Sequence, residues 1–164
     1  MINYEQLEID ISDLLCPKLV DTDENITELN TIYLAKPLPD NEAEYQKNFT
    51  KPAVYVICTN SDYDSPESTD IIIQNETVNF EILLRSKTRK GPSGIFAIIS
   101  DIKTKLLGYK FRGFTKIKLI KNGYIDSGTQ NDWNYMISFS TSIKAIENLP
   151  EPVVPTFKKI DTNG

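Results

Sequence analysis

Two stretches of the chain place apolar residues at helical spacing. In residues 3–15 these positions fall on one face, and Pro17 is expected to end the helix. That face consists of Tyr4, Leu7, Ile11, Leu14 and Leu15. A second helix is predicted to be capped by Ser93, to run to about Leu107 and to end at Gly108. Its apolar stripe consists of Ile95, Ile98, Ile99, Ile102 and Leu106.

Four other stretches have the composition or the alternation of β-strands. They are residues 53–58, 77–85, 115–121 and 132–144. The pair Asn122 and Gly123 is expected to form a turn, and residues 124–131 a hairpin tip. Residues 60–67 are predicted to form a loop. The polar, proline-containing residues 21–52 predict a long connection that holds at most a short strand near residues 31–34.

The order of these elements indicates a fold class. A helix and two strands are followed by a second helix and two more strands, which predicts an α+β domain. We expect a mostly antiparallel, curved sheet of about four strands with both helices packed on one face. The domain is predicted to span residues 1–148. Residues 149–164 are rich in proline and are expected to form an extended tail outside the sheet.

Composition narrows the classes of function. The 164 residues, 40% of them hydrophobic, suit a single domain, and the sequence predicts neither a membrane span nor a secretion signal. Because histidine is absent, sites built on a histidine base or a histidine metal ligand are excluded. The two cysteines, Cys16 and Cys58, lack metal-ligand spacing and are interpreted as reduced core residues. We therefore expect no catalytic residue, metal site or cofactor.

Charge and exposed apolar positions indicate protein contacts instead. The net charge of -5 argues against specific binding of nucleic acid. Four cations lie close together within this acidic chain: Arg85, Lys87, Arg89 and Lys90. They form either a solvated loop or a contact with an acidic partner, and the overall charge disfavours the third interpretation, a contact with nucleic acid. On the first helix, Ile2, Ile9 and Cys16 line up opposite the core stripe, where they are either scattered surface residues or part of a subunit contact.

The order of elements and several short phrases resemble the tail terminator family of contractile-tailed phages and phage-tail-like particles. The matching features are the N-terminal amphipathic helix, the strand that follows Pro52, and residues 78–85 leading into a glycine-bearing turn. The helix at residues 94–108 and the closing strand with Trp133 complete the resemblance, which covers about residues 2–145.

The resemblance implies a structural subunit that needs no cofactor and is not an enzyme. Such a subunit forms a hexameric ring on the tail tube, ends tail polymerisation and offers a surface to the neck or collar, and possibly to the sheath. It would assemble in the host bacterial cytoplasm and then form part of the virion tail, or of a headless bacteriocin-like particle, and DNA could pass through the ring. Two alternatives stay open: another neck or tail-completion ring component, and a small enzyme that uses carboxylates alone.

Residue roles follow from this resemblance as hypotheses. The cations Arg85, Lys87, Arg89 and Lys90 contact the tail tube, and Ile2 and Ile9 pack between subunits. Reversing Arg85, Lys87 and Arg89 to glutamate is then expected to leave the fold intact and to abolish capping of the tube.

Overall fold

The computed structural model describes residues 2–41, 44, 50–126 and 132–148. Its helices are α1 (Tyr4–Leu15) and α2 (Ile95–Leu106). Its strands are β1 (Lys18–Val20), β2 (Ile26–Glu28), β3 (Leu34–Pro37), β4 (Ala53–Tyr63), β5 (Ile73–Ser86), β6 (Lys118–Asp126) and β7 (Trp133–Ile146). Helices and mostly antiparallel strands confirm the predicted α+β class.

The main sheet has five strands in the order β3, β4, β5, β7, β6. β3 and β4 are parallel, and every other neighbouring pair is antiparallel. The central pair, β5 and β7, stays in register from Ile73 opposite Ile146 to Ser86 opposite Trp133. β1 and β2 form a separate two-stranded hairpin. The sheet is therefore one strand larger than predicted, and the hairpin is an addition to it.

Both helices pack on the same face of the sheet, as predicted. α1 contacts β3 and β4, whereas α2 contacts β5 and β7. The predicted stripe of α2 is fully confirmed, since all five of its residues are buried. On α1, Leu7, Ile11 and Leu15 are buried, but Tyr4 is exposed and its hydroxyl donates a 2.5 Å hydrogen bond to the buried Glu76 carboxylate.

The two helices begin at different kinds of cap residue. Asn3 caps α1, because its side-chain oxygen accepts from the backbone N–H of Gln6 at 3.1 Å. The cap of α2 is Gly94 and not the predicted Ser93. A Cβ atom at Gly94 would lie 2.4 Å from the carbonyl oxygen of Lys90, so only glycine fits this close approach of two backbone segments.

Two strands extend beyond the segments predicted for them. β4 runs to Tyr63, so the first part of the predicted loop at residues 60–67 is strand. A register shift between Cys58 and Asn60 interrupts the alternation there and conceals the continuation. Asn122 and Gly123 do not form the predicted turn, because both residues lie within β6 and pair with β7. Of the predicted hairpin tip, residues 127–131 lie outside the described part of the chain.

The predicted long connection contains strands of its own. The turn between β1 and β2 is built around Asp21, whose carboxylate accepts from the backbone N–H groups of Asp23 and Asn25, each at 2.9 Å. The hydrogen bonds from Asn25 and Asp23 lower the pKa of the Asp21 carboxyl. β3 then pairs with β4 from Leu34 to Pro37, three residues later than predicted. The predicted tail, residues 149–164, lies outside the described residues.

Candidate protein-contact surfaces

The segment that joins β5 to α2, residues 87–94, is called the connecting loop here. Its backbone is fixed by hydrogen bonds from Ile95 N–H to the Thr88 carbonyl and from Phe96 N–H to the Arg89 carbonyl, each at 3.1 Å. Gly91 has a φ of +90°, a conformation that a residue with a side chain rarely adopts. The connecting loop therefore presents its side chains from a preformed backbone.

Arg85 does not lie on this exposed loop. It is next to last in β5, and its Nη2 donates to Asp132 Oδ2 at 2.8 Å, with the two side chains only 8% and 2% exposed. Strand alternation places the Arg85 side chain on the sheet face opposite the helices. There it lies next to the start of the neighbouring strand β7. The expectation that Arg85 contacts a partner is thus corrected: its charge is buried in an ion pair within the chain.

Arg89 lies between aromatic rings. Its guanidinium carbon is 4.9 Å from the Trp133 ring centroid and 5.3 Å from that of Phe96, and its Nε donates to the Tyr135 hydroxyl at 3.2 Å. Cation–π contacts of this kind stabilise by about 0.5–2 kcal/mol each. Tyr124 extends the aromatic cluster, with its ring centroid 5.4 Å from that of Tyr135. Arg89 therefore holds the connecting loop against both α2 and β7.

Lys87 and Lys90 are the exposed charges of the predicted cluster. Neither forms an ion pair with any carboxylate in the described part of the chain. The structure therefore divides the four predicted residues into one guanidinium in a buried ion pair, one stacked guanidinium and two exposed ammonium groups. Contact of Lys87, Arg89 and Lys90 with a partner remains a prediction.

The two isoleucines predicted for a subunit contact have different environments. Ile2 is half-buried and packs against the core, and Cys16 is buried in that core. Since Ile2 precedes the cap residue Asn3, it lies outside the helix and helical spacing does not apply to it. The assignment of Ile2 to an outer face is corrected accordingly. Ile9 is half-buried on α1, and its place in a subunit contact stays a prediction.

A larger group of cations was missed by inspecting the sequence locally. Residues 103–121 contain seven lysines and arginines and no acidic residue, although the chain as a whole carries a net charge of -5. The exposed members from the loop after α2 and from β6 are called the basic edge: Lys110, Arg112, Lys116, Lys118 and Lys121. A net-charge count over a window of about twenty residues identifies this group, whereas a search for short runs of charge finds the compact cluster at residues 85–90.

An acidic group lies at the start of the chain. Residues 2–29 contain eight carboxylates and one lysine. The exposed carboxylates on α1 and on the β1–β2 hairpin are called the acidic surface: Glu5, Asp13, Asp21, Asp23, Glu24 and Glu28. Exposed apolar side chains accompany them on the hairpin, namely Leu19, Val20 and Ile26.

The described residues contain no group of three or more cysteine, aspartate or glutamate side chains placed to hold a metal ion. Within the same residues, no helix is long and apolar enough to cross a membrane. A cleft of about 420 Å³ lies between the hairpin and the β3–β4 edge of the sheet, and the ion pair of Lys51 with Glu28 is part of its wall.

Neither cysteine has the chemistry of a nucleophile. Burial raises the pKa of the Cys16 thiol, and burial together with the nearby Glu8 carboxylate raises that of Cys58 to about 12. Both thiols are therefore protonated near neutral pH, and a protonated thiol is a poor nucleophile.

Comparison with known protein families gives a match over most of the chain. A family model described as "Gp37 protein" matches residues 31–163, which include β3 to β7, α2 and the proline-rich tail, and leave out α1 and the hairpin. No curated protein matches the chain.

Proposed function

The chain belongs to the Gp37 protein family of phage proteins, and from this premise we propose that it is a tail terminator subunit. Family membership makes it a phage structural protein. In the proposed role, about six copies form a ring on the finished tail tube, stop its polymerisation and offer a surface to neck or collar proteins. Assembly takes place in the host cytoplasm, and the ring then becomes part of the tail.

The preformed, charged connecting loop is the observation that carries this proposal. A capping subunit must recognise a tube end of fixed geometry, and a rigid loop loses little conformational entropy when it docks. The two exposed ammonium groups of Lys87 and Lys90 suit recognition of an acidic surface, where charges mainly set register and association rate. The neighbouring aromatic cluster adds Phe96 and Tyr124, both exposed, and aromatic residues are enriched at protein contacts.

Charge reversal tests the loop, but the buried ion pair limits which residues are suitable. Arg85→Glu would place a second carboxylate beside Asp132 in a buried site, so loss of capping by that variant would report loss of folding. The test therefore uses Lys87→Glu with Lys90→Glu, both exposed. This variant is expected to keep its unfolding free energy within about 1 kcal/mol of the native value, because surface substitutions usually have small effects.

The assay is electron microscopy of purified tail tubes incubated with protein. Native protein is expected to occupy the tube end as a ring and to stop further addition of tube protein, and the double variant is expected to do neither. Normal capping by the variant would contradict the role of the loop. Native protein bound elsewhere on the particle would favour a neck or tail-completion component instead.

A further inference from the structure

Opposite charges are located at opposite edges of the sheet. The acidic surface belongs to α1 and the β1–β2 hairpin, and α1 packs over the β3–β4 side. The basic edge belongs to β6, the outermost strand on the other side, and to the loop that precedes it. With neighbouring strands about 4.8 Å apart, the four spacings from β3 to β6 separate the two edges by roughly 19 Å. Among the described residues, no ion pair joins the two groups of charges within one chain.

Each charged surface also has an apolar centre. On the hairpin, Val20 and Ile26 are paired neighbours and are 65% and 64% exposed. At the basic edge, Ile120 is 52% exposed, and it lies between Lys118 and Lys121. An apolar centre within a charged rim is the usual anatomy of a protein interface. Both surfaces therefore have the composition of contact sites, and their charges are complementary.

The backbone of β6 provides a further binding element. Among the described strands, β6 pairs with β7 alone, and its outer edge is unpaired over a strand of nine residues. Unpaired edge strands readily accept another strand. β6 also carries lysines, which in many proteins discourage such pairing, but lysines attract a strand that is flanked by carboxylates. The hairpin, with its acidic turn, is such a partner.

We propose that copies of this chain associate head to tail, with the acidic surface of one copy docked on the basic edge of the next. The contact is heterologous, because each copy offers two different surfaces, and heterologous contacts generate rings when the rotation closes. This inference rests on the proposed function in one respect: the terminator role requires a ring, and the charged surfaces supply the contact that builds it.

Nucleic acid is the other kind of partner that binds to a basic surface. The second copy is favoured because the complementary acidic surface is present on the same molecule and because both surfaces carry exposed aliphatic side chains. A phosphate backbone offers no partner to those side chains. Binding of DNA is therefore treated as a contrary outcome of the test.

Two charge-reversed variants test the contact. The first reverses the basic edge through Lys116→Glu, Lys118→Glu and Lys121→Glu. The second reverses the acidic surface through Asp13→Lys, Asp23→Lys and Glu24→Lys. Asp21 is left unchanged because its carboxylate holds the hairpin turn, and Glu28 because it pairs with Lys51.

The readout is the mass in solution as a function of concentration, measured by light scattering coupled to size exclusion. Native protein is expected to associate, and each reversed variant alone is expected to dissociate, with the apparent Kd raised by at least about 100-fold. Mixing the two variants in equal amounts brings the native acidic surface of the first variant against the native basic edge of the second, so the mixture is expected to associate again as pairs. Salt is expected to weaken native association, since exposed charges are screened over about 8 Å at physiological ionic strength.

Restoration by mixing distinguishes the proposal from simple loss of folding, since a misfolded variant cannot recover a partner. The matched control is the Lys87→Glu, Lys90→Glu variant, which also reverses exposed lysines and is expected to associate like the native chain. Association by either triple variant alone, or a mixture that stays monomeric, overturns the proposal. A basic-edge variant that loses DNA binding while keeping its native mass overturns it as well.

Failure of this contact and failure of the terminator role have different signatures. If the native protein forms rings on tube ends but the triple variants do so equally well, the contact is wrong and the function stands. If the native protein associates through these surfaces yet ignores tube ends, the contact stands and the function is wrong.

Discussion

The buried Arg85–Asp132 ion pair is expected to make a large difference to the free energy of unfolding. Its atoms are 2.8 Å apart and both side chains are almost completely buried. Substituting Asp132→Asn keeps the shape of the side chain but removes the negative charge that lies 2.8 Å from the guanidinium. Removing one partner of a buried pair typically costs about 3–5 kcal/mol, because the other charge remains desolvated. That is a large fraction of the roughly 5–15 kcal/mol by which a domain is stable.

Urea unfolding, followed at one fixed protein concentration, measures this loss. With a slope of about 2 kcal/mol per molar urea, the midpoint is expected to fall by roughly 1.5–2.5 M. The control is Glu67→Gln, which breaks the ion pair of Glu67 with Lys144, both about half exposed. Exposed pairs contribute about 0–1 kcal/mol, so its midpoint should hardly move. If the two variants lose equal stability, the burial assigned to Arg85 is wrong.

Three further predictions concern the core, the cap and the thiols. Ile11→Ala is expected to lower the free energy of unfolding in urea by about 2–5 kcal/mol, because Ile11 is fully buried. Ile9→Ala should lower it by less than about 1 kcal/mol. If Ile9 lies in a subunit contact, Ile9→Ala should weaken association instead. Gly94→Ala is expected to cost about 1–3 kcal/mol in the same assay, because its Cβ would overlap the Lys90 backbone. Cys58, with its pKa raised from 9.0 to about 12, should react slowly with thiol reagents at pH 8 in the native state and rapidly in urea. It should also make stability fall as pH rises above about 9, since the thiol then ionises in the unfolded chain first, and Cys58→Ala should remove that part of the dependence.

Regular periodicity explains the parts of the fold that were predictable. The stripe of α2 is uninterrupted, and so is the alternation of β5 from Val78 to Leu84, so the buried apolar residues of both could be read directly from spacing. Prediction failed where local geometry departs from a period. The bulge at Cys58 conceals the second half of β4. Asn122 and Gly123 have the sequence of a turn, although both lie within β6 and pair with β7.

The contact surfaces were harder to predict, for a different reason. A lysine-rich sequence does not show which of its charges find partners inside the fold, so Arg85 was grouped with exposed neighbours although Asp132, 47 residues away, neutralises it. The basic edge was missed because its cations are spread over a loop and a strand. Only the order of strands in the sheet places the basic edge and the acidic surface on opposite sides of the molecule.

The mass of the native protein, alone and on purified tail tubes, tests the central claim most directly. Light scattering over a range of concentrations, with electron microscopy of the same samples, would supply it. The account predicts a ring of about six subunits, in solution or at the tube end. A protein that stays monomeric at every concentration and leaves tube ends bare would contradict it.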